Sequence, residues 1–271
     1  MTDRPIDALV TLFTNARATD RAVLLPYLTA GLPDREASIR LFRTMADAGA
    51  DGFEVGIPYA DPLMDGPVIM AAGHRAIAQG VTVQSALEIA SAVSSETGKP
   101  VLAMTYVNPV LRLGVAEFFR KVGELGVNGV IIPDLPIDEA APFRAAAEES
   151  GVGLVAFAAP TTTDERLDAV LESDPAFVYA IAEVGVTGER QDASTNTVAL
   201  AARIRERSDV PVVFGVGIST PEHAAAAGRE GDGVIVGTAI VRRVMEAADA
   251  NEAETMLDEF VSDLRSAMDK A

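Results

Sequence analysis

Short apolar segments rich in valine and isoleucine recur along the chain and alternate with longer segments that have the 3.6-residue period of a helix. Most of the short segments are continuously apolar, as is typical of parallel strands that are buried on both faces. They predict eight strands, at Val23–Thr29, Gly52–Ile57, Pro100–Tyr106, Gly129–Pro133, Gly153–Ala158, Phe177–Ala182, Pro211–Gly215 and Gly233–Gly237.

The segments between these strands are predicted to be helices, and a glycine follows each of the clearest ones, where a helix is expected to end. These helices are Asp34–Ala48, Val83–Thr97, Val115–Leu125, Ile137–Ser150 and Pro221–Ala227. Two more helices are predicted outside the repeat. Ile6–Ala16 is expected to cover the bottom of a barrel, and Glu252–Met268 closes the chain.

Eight strand-then-helix units with short links predict an α/β fold, a (β/α)8 TIM barrel with an extra N-terminal helix. The alternative is an open doubly wound sheet, which usually carries a GxGxxG sequence after its first strand. Here the first strand ends in Leu28-Thr29-Ala30-Gly31 instead. No linker or low-complexity tract interrupts the chain, so residues 1–271 are predicted to form a single domain.

Charge and composition narrow the functional classes. The net charge of −18 disfavours binding to nucleic acid or to anionic membranes. There is no cysteine, hence no disulfide or thiol nucleophile, and no apolar run approaches the ~18 residues of a membrane span. We therefore expect a cytoplasmic protein. Lysine occurs only at Lys99, Lys121 and Lys270, and the excess of acid suggests a halophilic source as a hypothesis.

In a TIM barrel the active site lies at the C-terminal ends of the strands, and three glycine-bearing loops occur there. They are residues 185–188 after strand six, 215–219 after strand seven, and Gly237-Thr238 after strand eight. Glycine lets backbone N–H groups approach an anion, and the N-terminus of a helix adds positive potential. The three loops together predict a phosphate site.

Carboxylates are the other candidate groups, and they occur in the stretch FEVGIPYADPLMDGP at residues 53–67. Glu54 lies within the second predicted strand. It either faces the barrel interior near the mouth or is neutralised by an arginine, and burial in the first case would raise its pKa toward neutrality. Asp61 and Asp65 follow in a loop. Turn formation alone explains Asp61, whereas Asp65 is the better candidate for chemistry.

Several other reaction types lack their residues. None of the three lysines is placed at the end of a strand, as a Schiff-base aldolase would need, and His74 and His223 lie apart on predicted helices. The sequence offers neither a cluster of metal ligands nor a Ser-His-Asp set at the strand ends. What remains is acid–base chemistry by carboxylates on a phosphorylated substrate.

Motifs along nearly the whole chain resemble those of the tryptophan synthase alpha subunit family. Besides FEVGIPYADPLMDGP they are PYLTAGLPD, MTYVNP, IIPDLPIDEA, GVTGER, GVGIST and GVIVGTAIV, in the family's order. The resemblance implies a lyase that cleaves indole-3-glycerol phosphate to indole and glyceraldehyde 3-phosphate without a cofactor of its own. It also implies a partner, the beta subunit, which holds pyridoxal phosphate and joins the alpha subunit in an alpha-beta-beta-alpha heterotetramer.

The resemblance also implies roles for particular residues. Glu54 corresponds to the proton-transfer group and Asp65 to the aspartate that stabilises positive charge on the indole ring. The further positions are Gly188, Gly217, Gly237 and Thr238 for phosphate; Leu25, Met104 and Tyr179 for the indole pocket; and Asp61, Pro62 and Asn108 for the interface with the partner.

Residues 185–197, which include Thr187, are polar, contain glycine and are predicted to form a lid. Two other functions stay open from the residues alone. One is a different phosphate-binding barrel enzyme of amino-acid biosynthesis, and the other is a non-catalytic subunit that activates a partner. Neither of these explains why Glu54 and Asp65 occur together in this stretch.

Overall fold

A computed structural model describes residues 4–181, 195–215 and 217–270, without the side chains of residues 195 and 197. These residues contain nine strand segments: β1 Val23–Thr29, β2 Phe53–Gly56, β3 Val101–Met104, β4 Gly129–Ile131, β5 Gly153–Leu154, β6 Ala156–Ala158, β7 Val178–Ala180, β8 Val212–Phe214 and β9 Gly233–Val236. They also contain twelve α-helices: α1 Pro5–Ala18, α2 Arg35–Asp47, α3 Pro67–Ala78, α4 Val83–Thr97, α5 Val107–Leu113, α6 Val115–Glu124, α7 Ala141–Glu149, α8 Asp164–Glu172, α9 Thr195–Arg205, α10 Pro221–Glu230, α11 Thr238–Glu246 and α12 Ala250–Met268.

The strands are parallel and follow one another around a closed barrel, in which β1 lies between β2 and β9. β5 and β6 are consecutive parts of one predicted strand, Gly153–Ala158, and they pair with β4 and β7 respectively. The backbone hydrogen bonds of this strand change from one neighbouring strand to the other between β5 and β6. The N–H of Val155 donates to Val130, whereas that of Ala156 donates to Phe177. Counted as one strand, β5 and β6 complete eight, so the predicted (β/α)8 fold is confirmed.

Helix α1 covers the N-terminal ends of the strands, as the sequence predicts. Glycines at the strand starts allow this close approach. A Cβ atom on Gly129 would lie 3.1 Å from Cδ1 of Leu9, and one on Gly153 would lie 3.3 Å from Cγ1 of Ile6. Because the floor of the barrel is closed in this way, the opposite end is left to form a site.

The predicted end of the helix that begins at Pro221 is wrong. The pattern places its end at Ala227, before Gly228, whereas α10 continues to Glu230. A Cβ atom on Gly228 would lie 3.4 Å from Cε of Met268, which belongs to α12. This glycine therefore serves close packing between two helices rather than the end of one.

The predicted helix Ile137–Ser150 is divided in two. A 3₁₀ turn covers Ile137–Glu139, and α7 begins afresh at Ala141. Pro142 lies in the first turn of α7, where its missing N–H leaves no hydrogen bond unmade, but the same proline cannot continue an upstream helix. Within the ranges described above, no helix has both the length and the apolar character that a membrane span requires.

Candidate active site

A cavity of about 90 Å³ lies inside the barrel at the C-terminal ends of the strands. Its wall combines apolar and aromatic side chains with two carboxylates, Glu54 and Asp65, and with glycines from the loops after β8 and β9. No arginine or lysine of the described residues lines it. The cavity therefore suits an uncharged ring, with two acidic groups placed to act on it.

Glu54 projects from β2 into this cavity and is only 4% exposed. Its Oε2 atom has no hydrogen-bond partner among the described residues, and none of the ion pairs among them involves Glu54. Burial, together with the charge of Asp65, raises the pKa of Glu54 to about 8. The arginine-paired alternative is thus not what the structure shows, and Glu54 is largely protonated at neutral pH.

Asp65 reaches the same cavity from the loop between β2 and α3. Its N–H donates to the carbonyl oxygen of Pro62 at 3.1 Å in a turn, and α3 starts two residues later at Pro67. Burial raises the pKa of Asp65 to about 6, while the neighbouring hydroxyl of Tyr106 acts in the opposite direction. The two carboxyl groups therefore differ in pKa, which is what a site with one proton donor and one anion requires.

The loop after β2 is tied to both neighbouring helices. Nε2 of His74 in α3 is hydrogen-bonded to the carbonyl oxygen of Ala60 at 3.1 Å. From α5, the amide of Asn108 donates to the hydroxyl of Tyr59 at 3.2 Å. These contacts hold the segment that ends at Asp65 against the mouth of the barrel.

The three residues predicted to contact a partner differ in how exposed they are. Asp61 and Asn108 are exposed at the upper end of the barrel, whereas Pro62 is buried within the chain. Its carbonyl oxygen accepts the N–H of Asp65 in a turn. Pro62 therefore helps to shape the loop and, unlike Asp61 and Asn108, offers little surface of its own.

Three of the predicted phosphate residues line the far side of the cavity, namely Gly217, Gly237 and Thr238. Gly217 has a φ of 83°, in the left-handed region that favours glycine. Gly237 is the N-cap of α11 and has no side chain to cap it, so the first N–H groups of that helix are left for a ligand. Gly188 and Thr187, with most of the predicted lid at residues 185–197, lie outside the described residues.

The structure brings together only some of the residues predicted for the indole pocket. Met104 and Tyr179 line the cavity, but Leu25 does not. Leu25 is fully buried near the floor, where a Cβ atom on Gly52 would lie 2.9 Å from its Cδ2 atom and 3.7 Å from Cδ2 of Leu12 in α1. The prediction chose the correct face of β1 but a position too close to its N-terminal end.

Tyr27, two residues further along β1, is one of the lining residues that the sequence analysis missed. Its ring lies over Gly56, where a Cβ atom would be only 2.1 Å from the Tyr27 hydroxyl oxygen. Tyr179 lies in the same way over Gly215, and its ring stacks on Phe157 with centroids 5.0 Å apart. A signal for Tyr27 was present, because active sites in this fold use the C-terminal half of each strand.

The other ionisable groups considered from the sequence lie elsewhere. Lys99 precedes β3 at the floor of the barrel, Lys121 is on α6, and His223 of α10 is hydrogen-bonded to Ser219. In the part of the chain that the structure describes, no three histidine or acidic side chains are grouped so that they could hold a metal ion.

Comparison with known proteins agrees with this geometry. The family model described as tryptophan synthase alpha chain matches residues 13–269. The tryptophan synthase alpha chain of Methanosarcina mazei is 40% identical over 257 residues, covering 94% of this chain and 92% of that one. The alpha chain of Thermosynechococcus vestitus is 38% identical over 258 residues, covering 95% and 96%.

A solved structure of Mycobacterium tuberculosis tryptophan synthase shares the fold. It superimposes with a TM-score of 0.88 at 39% identity and covers 96% of this chain and 97% of that one. The resemblance noted from the motifs is thereby confirmed. The chain belongs to the tryptophan synthase alpha chain family, the lyases that cleave indole-3-glycerol phosphate.

Proposed function

We propose that this chain carries out the lyase reaction of its family, releasing indole and glyceraldehyde 3-phosphate, with Glu54 and Asp65 as the two catalytic carboxyl groups. The observation that carries the proposal is the placement of two buried carboxyl groups in one apolar cavity without a cationic side chain of the described residues. Such an arrangement costs stability, and a chain that only bound a partner would have no use for it.

Glu54 is proposed to move the protons. In its neutral form it donates a proton to C3 of the indole ring, which makes the ring an electron acceptor. The resulting carboxylate then removes the proton of the adjacent glycerol hydroxyl. As that C–O bond becomes a carbonyl, the bond from C3 to the side chain breaks and its electrons return to the ring. A pKa of about 8 suits a group that must both give and take a proton near neutral pH.

Asp65 is proposed to stabilise the positive charge that C3 protonation places on the ring nitrogen. It must be ionised for this, and a pKa of about 6 leaves it mostly ionised at neutral pH. The distant phosphate would be held by backbone N–H groups at Gly217, Gly237 and Thr238, aided by the N-terminus of α11. Gly188 and Thr187 are proposed to complete this end of the site.

The partner is proposed to be a tryptophan synthase beta subunit, which brings pyridoxal phosphate in an alpha-beta-beta-alpha assembly. Large apolar side chains are exposed where Asp61 and Asn108 lie: Leu63 is 71% exposed, Met64 39% and Leu111 54%. The hydrogen bond from Asn108 to Tyr59 joins the two segments that carry them. Exposed apolar groups within a polar surface are typical of a protein interface.

The test is indole release from indole-3-glycerol phosphate by the purified chain, with and without a beta subunit. We expect Glu54→Gln to lower kcat about 10²- to 10⁴-fold and Asp65→Asn about 10²- to 10³-fold. Glu149→Gln, which changes an exposed glutamate on α7, is the matched control and should keep wild-type activity. Normal turnover in Glu54→Gln would remove that residue from the mechanism.

Three further statements from the sequence stay predictions. They are that residues 1–271 act as one domain, that the protein is cytoplasmic, and that residues 185–197 close over the substrate. The comparisons give no support to a halophilic source. A scan of indole release against salt concentration would test it directly.

A further inference from the structure

Helix α11 begins at the far side of the cavity and presents its first turn there. Its N-cap is Gly237, and the first N–H groups that the helix uses for itself are those of Ile240 and Val241, which donate to the Gly237 carbonyl oxygen at 2.9 and 3.0 Å. The N–H groups of Thr238 and Ala239 precede them, in the turn where a helix leaves N–H groups without a partner of its own. The proposed function assigns this turn to the phosphate.

A second feature also marks the cavity as a site for a ligand. Oε2 of Glu54 has no hydrogen-bond partner among the described residues, although the side chain is only 4% exposed. Glu54 and Thr238 line the same cavity, and no arginine or lysine of the described residues lines it. A phosphate monoester carries about two negative charges at neutral pH. A cation close behind the lining would therefore strengthen the binding of such a group.

A guanidinium group lies behind that lining. Arg243 extends back along α11, and its Nη1 atom donates to the carbonyl oxygen of Ala239, the second residue of the helix, at 2.8 Å. Ala239 is 1% exposed and Arg243 is half-buried, so this cation is partly removed from water. Long side chains on a helix point toward its N-terminus, which explains how a residue in the second turn reaches the first.

A ring from the neighbouring helix fixes the position of this cation. The guanidinium carbon of Arg243 lies 3.4 Å from the centroid of the Phe260 ring, on α12. Phe260 is 6% exposed, and the face of an aromatic ring attracts a cation more strongly where water is partly excluded. The ring and the Ala239 carbonyl thus hold the positive charge beside the first turn of α11.

We propose that Arg243 is a positioning residue for the phosphate end of the substrate, and that its charge, held by Phe260 and Ala239, raises the positive potential of the first turn of α11. The inference rests on the proposed function, in which that turn binds the phosphate. The N-terminus of a helix attracts an anion through partial charges, and a full charge beside the same turn adds to that attraction. The cavity keeps an apolar lining for the ring because the cation lies outside it.

The decisive variant is Arg243→Met, which removes the charge and keeps an unbranched apolar side chain over Phe260. We expect the Kd for inorganic phosphate, measured by isothermal titration calorimetry, to rise about fivefold. The KM for indole-3-glycerol phosphate should rise by a similar factor with kcat within about twofold of wild type, because the charge acts equally on bound substrate and transition state. The Kd for indole, which is uncharged, should not change, whereas a packing defect would weaken indole binding as well.

A conservative variant and a matched control complete the test. Arg243→Lys keeps a cation over Phe260, so its Kd for phosphate should stay within about twofold of wild type. Arg229→Met removes the same charge at an exposed position on α10 and should alter neither phosphate nor indole binding. An equal loss of phosphate affinity in Arg243→Lys and Arg243→Met, or in Arg229→Met and Arg243→Met, would overturn the role given to the charge of Arg243.

Direct binding separates this inference from the proposed function. If the wild-type chain binds phosphate but releases no indole, the proposed lyase activity falls, and weaker phosphate binding in Arg243→Met would still support the role of Arg243. If the wild-type chain binds no phosphate, both the phosphate site and this inference are overturned. An unchanged Kd for phosphate in Arg243→Met, with normal indole release by wild type, would overturn the inference alone.

Discussion

Two buried acidic residues lie three positions apart, one just before β2 and one within it, and their surroundings are opposite in kind. Asp51 comes just before β2 at the floor, 8% exposed. One of its oxygens accepts from Arg21 at 2.6 Å and the other from the N–H of Leu24 at 2.8 Å, with Arg265 of α12 at 3.3 Å. Glu54 lies within β2 near the mouth, with Oε2 unpartnered among the described residues.

The contrast separates a residue that holds the barrel together from one that is proposed to do chemistry. Asp51 is neutralised in place and links the starts of β1 and β2 to the C-terminal helix. Glu54 has no such partner, so burial makes its charged form unfavourable and raises its pKa. A fold can tolerate that cost at one end because the other end is well tied, and the shifted pKa is what proton transfer needs.

The largest expected effect is on how the stability of the protein depends on pH when Glu54 is replaced. Its pKa is raised from 4.5 to about 8 on folding, so the folded state binds the proton more tightly. The resulting stabilisation is present below pH 4.5 and is lost as pH rises toward 8, by about 4 kcal/mol. The glutamine in Glu54→Gln does not titrate. The free energy of unfolding of this variant should therefore rise relative to that of wild type by about that amount between pH 4.5 and 8.5.

Urea denaturation of both proteins across this pH range measures the difference. The control is Glu149→Gln, whose stability should follow wild type at each pH. A constant difference between Glu54→Gln and wild type from pH 4.5 to 8.5 would show that Glu54 is not held protonated by the fold.

The second expected effect is a loss of stability when Asp51, at the N-terminal end of the barrel, is replaced. Asp51→Asn removes the charge that Arg265 and Arg21 share, and we expect it to lower the free energy of unfolding by about 3 kcal/mol. The kcat for indole release should stay within about twofold of wild type, because the change lies at the far end of β2. Asp47→Asn, at an exposed position on α2, is the control. A large loss of kcat in folded Asp51→Asn would break the separation between the two ends.

The smallest effect tests the corrected position of Leu25. Leu25→Val removes one methylene from the floor of the barrel and should cost about 1 kcal/mol of unfolding free energy. The KM for indole-3-glycerol phosphate should be unchanged, because Leu25 does not line the cavity. A KM raised severalfold, measured by indole release, would restore Leu25 to the pocket.

Much of the fold follows from local patterns. Continuous apolar runs predicted every barrel strand, and α4 begins and ends where its periodicity places it, at Val83 and Thr97. One error shows the limit of such patterns. Gly228 was taken as the end of a helix, yet it gives room to α12, a neighbour that is distant in sequence. The local pattern shows that glycine has no side chain at this position, but it does not show which other part of the protein fills the space.

The sequence by itself determined the βα repeat, the chemical nature of the two acids and their order in one motif, because these depend on residue type and spacing. Only the tertiary structure decided which positions face the cavity, that Tyr27 rather than Leu25 lines it, and that Pro62 is buried. It also decided the shifted pKa values of Glu54 and Asp65. Orientation and desolvation arise from strands and loops that meet only in the folded barrel, so no local pattern in the chain can encode them.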